Sequence, residues 1–292
     1  MISFSSLLLL AGLAGSSLLA TAPHGTAIPK PKKLVKVWES DSTLRVPESV
    51  LYDAAADLLY VANIDGKSDE LDGSGFISTM ALDGKIINLR WATGLNAPKG
   101  MGLHRGKLYV TDIYRLVVIN TTTGQVEQTY DAIDPKKAFL NDVTVTKDGT
   151  VYVTDSRFDQ LYRLKNGQWD VVMAGEQLSR PNGILAERTG TLLIGSTKIG
   201  ALRRLDPATN TLTTVADGMA ATDGIASDGK TGVFVSDWNG QVFHVTKTGE
   251  KQQLLDTRAS KINAADITYL KQGRLLLVPT FFHNRVVAYR VD

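Results

Sequence analysis

Six positions return at nearly equal steps along the chain and could share one site: Glu48, Lys99, Asn141, Asn182, Asp223 and Ala265, separated by 51, 42, 41, 41 and 42 residues. Four of them, Glu48, Asn141, Asn182 and Asp223, end in an oxygen donor, two as carboxylates and two as amides. An all-oxygen set suits a hard divalent cation such as Ca²⁺ or Mg²⁺, whereas softer metals favour His or Cys. The two carboxylates carry the charge that such an ion balances, and an unpaired acidic pair in a closed channel would be costly. Asn and Asp are poor strand formers, so their return at the head of apolar stretches needs a reason. Turn chemistry is the competing explanation, because Asn-Gly, Asp-Gly and Asn-Asp are common turn pairs. It does not account for Glu48.

Lys99 is the exception in the set. A lysine aimed at a cation would be repelled, so it is expected to anchor a substrate carboxylate or phosphate, to neutralise Asp142, or to bend into solvent. Asp142 and Asp266 each follow a ring position by one residue and are expected to orient ligands or bond strand-end amides. His283 is a candidate proton-transfer group, and Trp238 a candidate wall of the pocket. No P-loop, G-x-S-x-G or H-E-x-x-H motif occurs, which removes nucleotide, serine-hydrolase and zincin readings.

The elements that must position these residues are strands. A turn, a short hydrophobic strand, a Gly-containing turn and a stronger β-branched strand recur as one phrase, with strong strands LLYVAN, KLYVTD, TVYVTD, TLLIGS, GVFVSD and RLLLVPT. Tyr60, Tyr109, Tyr152, Leu193, Phe234 and Leu276 align at intervals of 49, 43, 41, 41 and 42. That period is one of four-stranded propeller blades. The long first interval is explained by the insertion DGKSDELDGSG after Ile64, expected to be a solvated surface loop. No sustained helical period is present. The expected fold is all-β, a six-bladed propeller over residues 33–292. Its last blade lacks an outer strand, and KLVKVWES (33–40) is expected to supply it and close the ring.

The apolar run ahead of a small-residue triplet predicts a signal peptide over 1–22 and a linker over 23–32, hence export to the periplasm or outside the cell and no membrane span in the mature protein. With no cysteine, disulfides, thiolate metal sites and cysteine nucleophiles are excluded. The 32 basic residues are scattered among 30 acidic ones, which leaves no footprint for nucleic acid. The partner expected is a small-molecule substrate.

The segments PES, LNDV, RPNGIL and TDGIA together resemble the senescence-marker-protein, gluconolactonase and regucalcin-like family, and more distantly paraoxonases and diisopropylfluorophosphatase. The resemblance covers residues 34 to 292. It implies a six-bladed propeller hydrolase with a catalytic divalent cation, usually Ca²⁺ and sometimes Zn²⁺ or Mn²⁺, and carries the ligand roles onto Glu48, Asn141, Asn182 and Asp223. Glu48-Ser49-Val50 departs from the family's Glu-Gly-Pro, and Lys99 takes the second-blade position. The expected activity is metal-dependent hydrolysis of a lactone or related ester, with Asp223 also as base or nucleophile and Lys99 as a further catalytic candidate. The alternatives are a non-catalytic ligand- or partner-binding propeller and a metal-free strictosidine-synthase-like protein.

Overall fold

The structure, a computed structural model, describes residues 1–2, 31–230 and 232–292. Met1–Pro31 and Lys32–Asp292 are separate units, and the fold is that of the second. The leader expected over 1–22 and the linker over 23–32 lie almost wholly outside the described residues.

Six four-stranded antiparallel sheets form six blades. Blade 1 is β2 (Pro47–Asp53), β3 (Leu58–Asn63), β4 (Gly75–Met80) and β5 (Ile86–Leu95), and blade 2 is β6 (Pro98–His104), β7 (Lys107–Asp112), β8 (Arg115–Asn120) and β9 (Val126–Asp131). Blade 3 is β10 (Leu140–Val145), β11 (Val151–Asp155), β12 (Gln160–Lys165) and β13 (Gln168–Ala174). Blade 4 is β14 (Pro181–Ala186), β15 (Leu192–Ser196), β16 (Ala201–Asp206) and β17 (Thr211–Ala216). Blade 5 is β18 (Thr222–Ser227), β19 (Val233–Asp237), β20 (Gln241–Val245) and β21 (Lys251–Asp256), and blade 6 is β22 (Thr268–Leu270), β23 (Leu275–Pro279) and β24 (Val286–Val291), completed by β1 (Leu34–Glu39). The inner strands touch in sequence, β2 on β6, β6 on β10, and so on through β22, which returns to β2. That closed ring is the expected six-bladed propeller.

Burial follows from this arrangement. The second strands β7, β11, β15, β19 and β23 are buried on both faces because a neighbouring blade covers each side, so they read as unbroken apolar runs. Outer strands such as β9 and β17 are mostly exposed. There is no single core. Apolar clusters fill the six gaps between blades, one around Tyr162 and Leu116 between blades 2 and 3, another around Leu59 and Leu277 between blades 6 and 1.

Hydroxyls at the ends of three second strands staple their blade to the next. Thr154 Oγ1 donates to Asn182 O at 2.7 Å, Ser236 Oγ to Ala265 O at 2.7 Å and Thr111 Oγ1 to Asn141 O at 2.5 Å. The Asp that follows takes the amides of the incoming loop: Asp112 accepts from Asn96 N and Ala97 N, and Asp237 from Ala221 N. The repeated Thr/Ser-Asp endings of the strong strands therefore secure the loop that delivers each inner strand. β1 pairs antiparallel with β24, Leu34 opposite Val291 and Glu39 opposite Val287, and Arg285 donates to Ser40 O. The strand expected to close the ring does so, and no blade is left with an open inner seam.

Candidate metal centre in the central channel

Five inner strands lose register with their partners at the same place: between Pro47 and Ser49, Pro98 and Met101, Leu140 and Val143, Pro181 and Ile184, and Thr222 and Ile225. Each break is a bulge, which leaves a residue unpaired and re-aims its side chain. Glu48, Lys99, Asn141, Asn182 and Asp223 sit in these breaks. Their poor strand propensity is therefore tolerated, because the ladder is already interrupted there.

The residue after each ring position governs how near the inner strands come. A Cβ on Gly183 would lie 1.8 Å from Asp223 O, one on Gly100 2.2 Å from Asp142 Oδ1, and one on Gly224 2.2 Å from Asp266 Oδ1. None of these glycines has positive φ. The Asn-Gly and Asp-Gly pairs are not turns here; glycine is required by close approach. On the sixth strand, Asp266 N donates to Glu48 O at 2.9 Å, which joins blade 6 to blade 1.

Glu48 and Asp223 are 6% and 2% exposed. Glu48 Oε2 is fully buried and has no hydrogen-bond partner among the described residues. Burial raises the Glu48 carboxyl well above its ordinary range, and the nearby Asp223 raises it further, against the pull of Lys99. Burial pushes Asp223 up to about 8, with Asp142 adding to the rise and a hydrogen bond from the Asn182 side chain opposing it. Asn141 is buried, and its amide nitrogen donates to Ser156 Oγ at 3.1 Å, which leaves its carbonyl oxygen as the end available to a ligand.

Asp142 lies one residue further in. Its two oxygens accept from Val143 N at 2.7 Å and Ile184 N at 2.8 Å, bonding strand amides and linking blade 3 to blade 4. Burial still pushes it up to about 7. Burial also raises Asp266 well above its ordinary range, with Asp142, Glu48 and Asp223 contributing. Four acidic groups thus feel one another around one axis. Among the described residues no three His, Cys, Asp or Glu side chains are grouped closely enough to hold a metal by themselves. The amide oxygens of Asn141 and Asn182 would have to complete any ligand set.

Lys99 neither reaches solvent nor pairs with Asp142. Its ammonium donates to Ser68 O at 2.9 Å and Ala97 O at 3.0 Å and lies 4.4 Å from the centre of the Phe139 ring. Burial lowers it to about 8, opposed by Glu48, Asp112 and Asp69. Its contacts pin the insertion after Ile64. That loop is exposed, as expected, but it is also tied down, by Lys99 at Ser68, by Arg90 to Asp65 at 2.6 Å and by Arg157 to Asp69 at 3.9 Å. Sequence patterns could not show this, because the cage joins segments from three blades.

His283 is exposed on the one-turn helix Phe281–His283. Trp238 packs edge-on against Phe281 at 5.6 Å and Phe282 at 6.1 Å. Phe281 in turn joins Ala265, the sixth ring position, in one apolar cluster. A cavity of about 790 Å³ runs from Ser49, Asp142 and Asp266 along the inner strands to their far ends.

A closed ring of six four-stranded antiparallel blades defines a six-bladed β-propeller. Residues 46–268 match the SMP-30/gluconolactonase/LRE-like region, and the chain belongs to that family. It is 27% identical over 192 residues to adipocyte plasma membrane-associated protein of Rattus norvegicus, covering 56% of this chain and 50% of that protein. The Gallus gallus protein of the same name is 30% identical over 207 residues, covering 60% and 48%. The chain thus spans about half the length of the curated relatives it matches. Among solved structures, a proposed gluconolactonase superposes with a TM-score of 0.68 at 16% identity, covering 91% of this chain and 94% of that one. Virginiamycin B lyase from Staphylococcus aureus does so with 0.65 at 13%, covering 90% and 100%. At such identities these likenesses show the fold alone. Among the described residues no helix is long and apolar enough to cross a membrane.

Proposed function

We propose that the chain is a divalent-cation-dependent hydrolase of a lactone or related ester, with Glu48, Asn141, Asn182 and Asp223 holding the ion. Ca²⁺ is the ion proposed first, with Zn²⁺, Mn²⁺ or Mg²⁺ as alternatives. One observation carries the reading: buried acids converge on the channel with Lys99 as the cation opposing Glu48, and one oxygen of Glu48 is left without a partner. A hard cation would satisfy that oxygen and offset the acidic charge.

When bound, such an ion supplies Lewis-acid polarisation of a carbonyl oxygen and acidifies water. The chain's own residues do the rest. Asp223 takes a proton on its carboxylate as general base, steadied by the Asn182 amide. Glu48 is the fixed anionic anchor, held in a bulge between blades 6 and 2. Asn141 is oriented by Ser156. Lys99 positions the loop at Ser68 and remains the further catalytic candidate. The substrate is a small molecule, and export to the periplasm or beyond belongs to the same proposal.

The test is calorimetric Ca²⁺ binding together with turnover of lactones, aryl esters and organophosphates, with and without chelator. Glu48→Ala and Asp223→Ala each abolish binding and turnover while circular dichroism stays that of the wild type. Undiminished lactone hydrolysis by the double variant overturns the proposal, and a retained cation with no turnover on any class supports a binding protein instead.

A further inference from the structure

The channel has a second end, and we propose that its wide mouth binds a small organic polyanion, a molecule carrying two or more phosphate, sulfonate or carboxylate groups. The cavity is lined there by Arg188 after β14, Lys230 after β18, Lys247 after β20 and Lys271 after β22. Four cations from blades 4, 5 and 6 therefore face one opening. None takes part in an ion pair among the described residues.

The acids nearby are already engaged. Glu187, on the same mouth, is held by both Nε and Nη2 of Arg204 at 2.6 and 3.1 Å and by Thr191 Oγ1 at 2.7 Å. Asp228 takes His244 Nε2 at 3.0 Å, Lys230 N at 2.7 Å and Gly232 N at 3.1 Å. In blade 1, Asp57 accepts the Tyr52 hydroxyl and Asp53 accepts Ala55 N and Ala56 N. These carboxylates keep their charge, but among the described residues none of them forms an ion pair with any of the four cations.

Two features make this more than a patch of surface lysines. The stem of Lys271 lies across the Gly229 turn, where a Cβ would come within 2.0 Å of Lys271 Cε. That packing holds the ammonium at the rim, so less of its freedom is lost on binding. The cations also line one side of a cavity of about 790 Å³, a size typical of small-molecule sites. The inner strands place this mouth about 15–20 Å from the acidic ring, at about 3.3 Å per residue. Asp142 and Asp266 at the inner end repel an anion, so the ligand seats at the mouth, and the site does not depend on the catalytic reading.

The test follows the fluorescence anisotropy of pyranine, a trisulfonated pyrene that leaves bound Ca²⁺ in place, titrated with the full chain. Saturable binding is expected, weakening with added salt and by about tenfold or more in K247A/K271A. Both lysines are exposed, and circular dichroism confirms the fold. Displacement by fructose 1,6-bisphosphate or by tricarballylate identifies the oxyanion class. Absence of saturable binding overturns the proposal, as does a double variant that binds like the wild type, or an equal loss in K198A, whose exposed lysine lies on the opposite face.

Discussion

Gly183→Ala isolates the reason a glycine follows Asn182. The added methyl would stand 1.8 Å from Asp223 O and 2.9 Å from Asp223 C, so blades 4 and 5 must separate until that contact reaches the 3.4 Å of ordinary packing. The obstacle is backbone, which has no rotamer to yield. Forced overpacking of this kind costs about 1–3 kcal/mol, and a domain of this size loses about 2–4 °C in Tm per kcal/mol. A fall of about 2–12 °C is expected by differential scanning calorimetry on chelated protein. The effect on Ca²⁺ affinity should be larger still, because ligand oxygens tolerate displacements of only about 0.2 Å and the two that move belong to Asn182 and Asp223. Gly73→Ala is the control: nothing lies within 4 Å of its Cβ, and its φ of 70° charges it with backbone strain alone. If Gly183→Ala melts with the wild type and keeps its Ca²⁺ affinity, the close-approach argument is wrong.

Two further perturbations bear on the same structure. Lys99→Met keeps the stem and removes the ammonium that caps Ser68 O and opposes Glu48; it should cost about 3 kcal/mol in urea denaturation and expose the loop after Ile64 to limited proteolysis, whereas unchanged protease resistance would show that the loop holds itself. Asp228→Asn weakens the bonds from His244, Lys230 N and Gly232 N and should cost about 1–2 kcal/mol at pH 7. The folded Asp228 carboxyl is held below its ordinary value of 3.8, so its contribution is present above that pH and lost as pH falls through the folded value. The gap between the urea midpoints of variant and wild type should shrink steadily as pH falls below 3.8, and a gap that does not change with pH refutes the assignment.

What could be read from the sequence was what repeats. The spacing of Tyr60, Tyr109 and Tyr152 reflects a blade that must return to the same radius, and residues 33–40 read as a strand because the last blade lacked one. The convergence of Glu48 and Asp223 followed from the same period. The bulges did not, because a register break is a relation between two strands and leaves no mark in either alone. Gly183 and Gly224 resembled turn residues, and only the neighbouring blade shows why they are glycines. Lys99 was legible as an anomaly, but its cage joins Ser68, Ala97 and Phe139, which share no pattern. Arg188, Lys230 and Lys271 recur at 42 and 41 residues, each just after an inner strand, so their meeting at one opening was legible in the blade period; Lys247, in a turn between outer strands, was not.

The pairing of β1 with β24 has a consequence for biosynthesis. Leu34 and Val291 are opposite each other in one sheet but leave the ribosome far apart in time, on the order of tens of seconds at ordinary elongation rates. Until then β1 is an unattached ribbon and the ring is an open arc whose last sheet has nothing to pair with. During that interval the free ribbon of one molecule can complete the arc of another, so fidelity of assembly rests on the nascent segment waiting for its own distant partner.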